Sequence, residues 1–220
     1  MILADFGTSY CKLQDLGQPE EEPRIIPTSK IDRKMRVALA TGHNGRRFTD
    51  HYVNELTALA RGGKSLIGKE SYVLLDCGSR DIKFIQYEKG KLKDMGWNAE
   101  CGASMGFTIE LLERYYELDY NRMAVPDRTF SITCGVLGMS HIFDSITTGV
   151  SESEAVASFV KGIALNAYRF AGSPETLYLS GGLCANNLFV RSFPCKVITL
   201  GRFVLLKGLA ETARKKGIKA

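Results

Sequence analysis

The sequence predicts a mixed α/β protein that contains an internal duplication, and three observations support this prediction. The chain of 220 residues is 45% hydrophobic and 10% aromatic, which is typical of a globular protein with a substantial core. Short apolar segments that end in glycine turns alternate with longer segments of helical periodicity. Two of the apolar segments, Ile2–Leu13 and Val73–Ile85, repeat one pattern about seventy residues apart.

The repeated pattern is an apolar strand, an aspartate, any residue, a glycine, small polar residues and a second strand with a lysine. The aspartates are Asp5 and Asp76. A strand that ends in Asp and turns at Gly brings N–H groups and hydroxyls to one point, beside a carboxylate that can hold hydrated Mg²⁺. A plain hairpin is the alternative for either copy alone. The phosphate-binding candidates are Gly7, Thr8, Ser9 and Lys12 in the first copy and Gly78, Ser79, Arg80 and Lys83 in the second.

A third glycine turn follows a third predicted strand, within Thr176–Asn187. Gly181 and Gly182 would let the backbone approach a flat base or ribose, and a bare strand-to-helix turn is the alternative. Ser151 and Glu154 form a predicted capping box at a helix start. The remaining patterns predict a strand around Met35–Ala40, helices around Thr49–Ala60, Thr108–Leu118, Ser151–Phe170, Val204–Lys215 and from about Asn187, and loops at Gln18–Pro27 and Ala124–Arg128.

Two cysteines, Cys101 and Cys134, lie in glycine-containing segments where we expect helices to begin. Unpaired N–H groups and the helix dipole at such positions favour a thiolate or an anionic metal cluster. Two thiolates are fewer than the four that an iron–sulfur cubane usually takes, and a symmetric dimer would supply the other two. The pair therefore suggests a cluster shared between two copies of the chain. For Cys11, Cys77, Cys184 and Cys195 we expect ordinary packing.

Charge and hydropathy exclude two broad classes of function. The balance of 29 basic and 24 acidic residues leaves a net charge of only +5, and the basic residues are scattered apart from the tail Arg214–Lys219. We interpret that tail as a solvated helix end, so no nucleic-acid partner is expected. The opening residues lack the sections of a signal peptide, and no apolar run approaches the roughly 18 residues that span a bilayer. We therefore expect a cytoplasmic protein without a membrane partner.

The duplicated strand-Asp-x-Gly turn and the late Gly-Gly turn resemble the actin, sugar-kinase and heat-shock ATPase superfamily. The cysteine segments narrow this resemblance to the BadF/BadG/BcrA/BcrD group, the ATP-dependent activators of 2-hydroxyacyl-CoA dehydratases and benzoyl-CoA reductases. Cys101 begins a Cys-Gly-Ala-x-x-Gly motif and Cys134 follows 33 residues later. Further matches are Ala40–Arg46, Glu55–Ala60, Asp76–Lys83 and Ser180–Gly182.

The resemblance implies a two-lobed actin-like ATPase (ribonuclease H-like) fold that grips ATP or ADP with Mg²⁺ between paired phosphate loops. We expect lobes at 1–70 and 71–220, with the last helix packing back on the first lobe. It also implies a homodimer that holds one 4Fe-4S cluster through Cys101 and Cys134 of each copy. ATP hydrolysis would drive a low-potential electron to a dehydratase-like or reductase-like iron–sulfur partner. Asp5, Asp76 and Glu55 are the candidates to orient Mg²⁺ or the attacking water, with a surface carboxylate as the alternative for Glu55.

The chain departs from the family pattern at three places. Only about twenty residues separate the first turn from the strand at Met35, so we expect a trimmed first lobe. Gly138–Phe143 stands where the family has acidic residues, and Arg80 replaces an uncharged amide. His141 lies in the segment Gly138–Phe143, and its role stays open. It either faces the cluster or is a structural or exposed residue. Two other functions remain as alternatives. The first is a trimmed module that binds a nucleotide or a cluster, has little ATPase activity and acts as a regulator or scaffold. The second is a small-molecule kinase of the same superfamily.

Overall fold

The computed structural model describes residues 1–18, 20–98, 105–132 and 135–217, and within them the protein is mixed α/β with two sheets. The chain divides into two compact units. The first unit comprises Met1–Ser71, Glu88–Lys91 and Arg202–Ala220. The second unit comprises Tyr72–Tyr87 and Leu92–Gly201.

The first unit contains a four-stranded sheet of β1 (Ile2–Phe6), β2 (Tyr10–Asp15), β3 (Arg24–Pro27) and β4 (Leu39–Thr41), in the order β3-β2-β1-β4. Strand β1 is antiparallel to β2 and parallel to β4. Strand β1 pairs with a strand on each side, and its last four residues are buried. The sheet therefore holds the end of β1 in place.

Two helices, α1 (Glu55–Ile67) and α6 (Val204–Lys215), complete the first unit. The Asn54 side chain accepts a hydrogen bond from Leu56 N and caps the start of α1. The helices pack at two glycines, since an added Cβ would lie 2.0 Å from Val204 O at Gly62 and 1.8 Å from Ala58 O at Gly208. The helix backbones therefore approach more closely than any side chain at these positions would allow.

The second unit contains a five-stranded sheet of β5 (Tyr72–Cys77), β6 (Ile82–Glu88), β7 (Lys91–Asn98), β8 (Thr176–Ser180) and β9 (Lys196–Gly201), in the order β7-β6-β5-β8-β9. Strand β5 is central and every one of its residues is buried. It is antiparallel to β6 and parallel to β8. Its neighbours thus repeat, in the same orientations, those of β1 in the first unit.

The helices of the second unit are α2 (Met105–Tyr115), α3 (Gly135–Thr147), α4 (Glu152–Phe170) and α5 (Asn187–Arg191). Helix α4 contributes the largest helical share of the core, including Val156, Phe159, Val160 and Ile163. Ser151 caps α4 by accepting a hydrogen bond from Glu154 N at 3.2 Å, as the capping-box pattern predicts. The buried face of α4 and the buried β5 form the centre of this unit.

The predicted α/β fold is confirmed, and several elements differ from their predicted bounds. Strand β3 lies at the end of the predicted loop Gln18–Pro27. In place of the predicted strand around Met35–Ala40, the structure has the shorter β4, which begins at Leu39. Helix α1 begins at Glu55 rather than near Thr49 because Val53 N is held by Ala40 O and Asn54 caps the helix. Helix α2 begins and ends three residues before its predicted bounds. The part of the chain that the structure describes contains no helix long and apolar enough to cross a membrane.

Candidate nucleotide-binding turns

The two copies of the strand-Asp-x-Gly pattern form the same turn in the two units. In the first unit Asp5 lies opposite Lys12 across β1 and β2. In the second unit Asp76 lies opposite Lys83 across β5 and β6. Each turn therefore places an aspartate at the end of a buried strand and a lysine directly across from it.

The parallel neighbour of each aspartate strand also repeats. Thr41 of β4 is in register with Asp5, and Ser180 of β8 is in register with Asp76. In each unit a hydroxyl side chain thus lies next to the aspartate on the neighbouring strand. The duplication consequently extends beyond the hairpin to a third strand in each unit.

A glycine at positive φ ends each of these neighbouring strands. Gly42 has φ +91° and Gly181 has φ +90°. An added Cβ would lie 2.4 Å from Phe6 O at the first position and 2.4 Å from Cys77 O at the second. Because Phe6 and Cys77 each follow the aspartate, a glycine is required at both places for the chain to pass the turn.

In the first turn the carboxylate of Asp5 is paired with a lysine. Lys12 Nζ donates to Asp5 Oδ2 at 2.7 Å, and the Asp5 side chain is almost fully buried. Thr28 braces the same turn, since its hydroxyl donates to Gly7 O at 2.9 Å and its amide donates to Ser9 O at 3.0 Å. The turn is therefore held in shape by contacts from outside the hairpin.

Thr41, beside Asp5, carries a buried hydroxyl that has no hydrogen-bond partner among the described residues. Its counterpart Ser180 donates to Asp76 Oδ2 at 2.6 Å. A buried polar group without a partner is costly. The first turn thus offers a polar atom for a ligand at a place where the second turn has an internal hydrogen bond.

In the second turn Asp81 organises both the backbone and the lysine. Gly78 N donates to Asp81 O at 3.0 Å and closes the turn. Lys83 Nζ donates to Asp81 Oδ1 at 2.6 Å, and Trp97 Nε1 donates to Asp81 Oδ2 at 2.7 Å. The Lys83 ammonium lies 5.4 Å from the centroid of the Trp97 ring.

The second turn is also packed against the start of α2. An added Cβ at Gly106 would lie 2.2 Å from Gly78 O. Phe107 N donates to Ser79 O at 2.8 Å, and Ser79 Oγ donates to Glu110 Oε1 at 3.0 Å. The N-terminal residues of α2 therefore contact the backbone of the second glycine turn directly.

The other predicted polar residues occupy different surroundings. At Gly182 an added Cβ meets no atom within 4 Å, so the backbone there faces open space. Glu55 is buried at 5% exposure as the first residue of α1, so the surface alternative for this residue is wrong. His141 is exposed on α3 beside the ring of Phe130.

The predicted cluster ligands Cys101 and Cys134 lie outside the described residues. Helix α2 begins at Met105 and α3 begins at Gly135, the residue after Cys134 in the sequence. Within the described ranges, no group of three or more His, Cys, Asp or Glu residues is arranged to hold a metal ion.

The four described cysteines form no disulfide among the described residues, and they pack in or against the two cores. Burial raises the pKa of Cys11 to about 12, with the nearby Asp5 as a second cause. Burial, and then the charge of Asp76, raises the pKa of Cys77 above its usual range. Both thiols are therefore protonated at neutral pH and are poor metal ligands, in agreement with a packing role.

Sequence reasoning missed several residues that shape the turns. Asp81 and Trp97 gave no signal because their contact joins the turn before β6 to β7, and Thr28 acts from beyond β3. Gly42 could have been found, since Thr41-Gly42 after a strand repeats Ser180-Gly181. Glu110 could have been placed only from the packing of α2 on Ser79.

Comparison with solved structures shows which fold the chain shares. The chain matches component A of the (R)-2-hydroxyglutaryl-CoA dehydratase of Acidaminococcus fermentans with a TM-score of 0.76 at 18% identity, covering 100% of this chain and 99% of that one. It matches the activator of the 2-hydroxyisocaproyl-CoA dehydratase from Clostridium difficile, solved with bound ADPNP, with a TM-score of 0.71 at 18% identity and the same coverage. The predicted α/β, actin-like fold is thereby confirmed.

Sequence comparison finds homologues with related names. The chain is 28% identical over 171 residues to the activator of lactoyl-CoA dehydratase of Anaerotignum propionicum, which covers 70% of this chain and 64% of the relative. It is 24% identical over 165 residues to the (R)-2-hydroxyglutaryl-CoA dehydratase activating ATPase of Acidaminococcus fermentans, which covers 69% of this chain and 63% of the relative. No protein-family model matches the chain. The resemblance to dehydratase activators is confirmed, and each match spans less than two thirds of the relative's length.

Proposed function

We propose that the chain binds Mg²⁺-ATP through its two glycine turns and acts as an ATP-dependent activator of a 2-hydroxyacyl-CoA dehydratase-like or reductase-like partner. The observation that supports this proposal most strongly is the duplicated three-strand turn. Two units built around different cores repeat an aspartate, a facing lysine and a positive-φ glycine in the same register. The names of two homologues, both dehydratase activators and one of them an ATPase, support the proposed activity and partner.

The residues of each turn include groups that can bind phosphate and groups that can hold Mg²⁺. The backbone at Gly7–Ser9 and at Ser79–Arg80 would bind phosphate oxygens through N–H groups. The Gly78 N–H closes the second turn by donating to Asp81 O, so its role is to shape that turn. Phosphoryl transfer depends mainly on positioning and on neutralising charge, so the aspartates at the strand ends would orient hydrated Mg²⁺ or the attacking water. Glu55 is a third candidate for this task because it is a buried carboxylate at the start of α1.

The contact of α2 with the second turn supports a link between nucleotide and the region of Cys101. Gly106 leaves no space between α2 and the carbonyl of Gly78, and Phe107 N is bonded to Ser79 O. A phosphate that moves the backbone of this turn would therefore also move the start of α2. Cys101 precedes α2 by four residues in the sequence.

We propose that Cys101 and Cys134 of two copies hold one shared 4Fe-4S cluster, which makes the active species a homodimer. The starts of α2 and α3, immediately after the two cysteine segments, support this assignment because helix N-termini favour anionic groups. When bound, the cluster would supply the low-potential electron that is passed to the partner enzyme. The described residues of the chain would set its surroundings through the positions of α2 and α3.

Nucleotide titration of the two aspartates tests the proposal. Asp5→Asn and Asp76→Asn remove a charge from each turn with little change of shape. We expect each variant to raise the Kd for Mg²⁺-ATP by about tenfold or more, since a charge-assisted contact is worth at least about 1.4 kcal/mol. The measurement is isothermal titration calorimetry with anoxically purified protein.

A matched control is Asp94→Asn, which removes an exposed carboxylate from β7, outside the sequence of both turns. It should bind Mg²⁺-ATP as the wild type does. Unchanged affinity in both turn variants would contradict nucleotide binding by the turns.

The ion pair of Lys12 with Asp5 favours a second candidate, a nucleotide-binding module with little turnover. A carboxylate already neutralised by a lysine is a weaker ligand for Mg²⁺ than an unpaired one. Steady-state phosphate release separates the two functions, because an activator hydrolyses the ATP that it binds and a module of this kind only retains it.

A further inference from the structure

The second turn contains a carboxylate, Asp81, in addition to the aspartate at the strand end. Position for position, Asp81 in the second copy corresponds to Tyr10 in the first, and the lysines Lys83 and Lys12 correspond to each other. In the first turn the lysine bonds to the aspartate at the strand end. In the second turn a separate carboxylate, Asp81, receives the lysine.

The Lys83 ammonium is buried, with only 2% of its side chain exposed. Burying a charge is costly unless a counter-charge and hydrogen bonds compensate it. Asp81 supplies the counter-charge through Oδ1 at 2.6 Å, and the aromatic face of Trp97 lies close to the ammonium. The position of this ammonium therefore depends on both residues.

Trp97 in turn fixes the carboxylate that holds the lysine. Its indole N–H donates to Asp81 Oδ2 at 2.7 Å, so the two oxygens of Asp81 are used by two different partners. Trp97 lies on β7, which is next to β6 at the edge of the sheet. It is 42% exposed although it is the largest aromatic side chain and makes a specific polar contact.

We propose that Asp81 and Trp97 are positioning residues that hold Lys83 for the phosphates of a nucleoside triphosphate at the second turn. The inference rests on the proposed function, because it concerns the same turn. Trp97 keeps Asp81 oriented, Asp81 keeps the ammonium in place, and the bound phosphate draws that ammonium away from the indole ring. Trp97 is the single tryptophan of the chain, so its emission reports this movement directly.

The test combines binding with fluorescence in the full-length protein. Mg²⁺-ATP should cause a saturable change in Trp97 emission of the wild type, and Lys83→Met should abolish the change. Trp97→Phe keeps a ring beside Lys83 but removes the N–H donor. Its Kd for Mg²⁺-ATP, measured by calorimetry, should rise about tenfold, as expected for the loss of a hydrogen bond to a charged group.

Asp81→Asn should weaken binding by a similar or larger factor, and Asp81→Glu should restore part of the affinity. Met95→Ala is the matched control, because Met95 is exposed on the same strand two residues away. It should retain wild-type affinity and the wild-type emission change. Circular dichroism of each variant identifies a loss of fold. If Trp97→Phe fails to fold, the positioning role is tested by whether Asp81→Glu binds Mg²⁺-ATP more tightly than Asp81→Asn does.

The outcomes distinguish this inference from the function on which it rests. Wild-type binding of Mg²⁺-ATP with unaltered affinity in both Trp97→Phe and Asp81→Asn would overturn the positioning role alone. Absence of any binding by the wild type would overturn the proposed function and this inference with it.

Discussion

At the scale of single residues, the strand that pairs with the first aspartate strand places a thiol in the apolar core. Cys11 lies on β2 opposite Phe6 and is fully buried in one core cluster with Phe6 and Leu13. Burial raises its pKa to about 12, from an ordinary value of 9.0. This cysteine therefore contributes to stability in a way that depends on pH.

The sign of this dependence follows from the protonation of the two states. Below pH 9 the thiol is protonated in both the folded and the unfolded chain, and its full contribution is present. Between pH 9 and about 12 only the unfolded chain loses the proton, so stability falls by about 1.4 kcal/mol per pH unit. We predict that Cys11→Ala reduces this alkaline slope by that amount.

Urea unfolding under reducing conditions at several pH values measures the slope. Between pH 6 and 8 the wild type and Cys11→Ala should show parallel dependence on pH. An equal slope for the two proteins above pH 9 would show that Cys11 is not buried as described.

At the scale of elements, the close approach of α1 and α6 depends on glycine. Residues 58–62 of α1 contact residues 204–208 of α6 through backbone atoms at Gly62 and Gly208. Arg61 and Thr212 add a hydrogen bond of 2.6 Å beside this contact. The pair of helices thus brings residues that are far apart in sequence into one unit.

Gly208→Ala tests this contact because its expected sign is the reverse of the usual one. In an open helix, Gly to Ala stabilises by roughly 0.5–1 kcal/mol. Here the new methyl group would lie 1.8 Å from Ala58 O, so the helices must separate, and we predict a loss of about 2 kcal/mol or more. Urea unfolding measures the difference. Leu66→Ala, on the exposed side of α1, should change stability by less than about 0.5 kcal/mol.

At the scale of the whole molecule, the proposed cluster links assembly to cysteine chemistry. If Cys101 and Cys134 of two copies share one cluster, the wild type should contain about four iron atoms per dimer when purified anoxically. We predict that Cys101→Ser and Cys134→Ser each abolish iron binding and weaken the dimer, because too few thiolates remain and cluster binding is coupled to association.

Iron and sulfide analysis, spin resonance of the reduced protein at low temperature and analytical ultracentrifugation provide the measurements. Cys184→Ser and Cys195→Ser serve as controls and should retain iron, since both residues pack against the core of the second unit. Retention of iron by either predicted ligand variant would contradict the shared cluster.

Local sequence signals were sufficient wherever the structure depends on neighbours along the chain. The bounds of α6 agree with their predicted values, and α4 begins after the predicted cap at Ser151. The two glycine turns were predicted because strand, aspartate and glycine are adjacent in the sequence. By contrast, the short strand β3 is stabilised by pairing with β2, and its own sequence, flanked by prolines, indicated a loop.

The sequence by itself determined the duplicated turns, the candidate aspartates and lysines and the resemblance to dehydratase activators. Only the tertiary structure decided that Lys12 donates to Asp5 and that Lys83 donates to Asp81. It also decided that Trp97 completes the second of these clusters. The physical reason is that turns and caps depend on residues adjacent in the chain, whereas the partner of a buried charge is chosen by strand order and side-chain packing, which join distant segments.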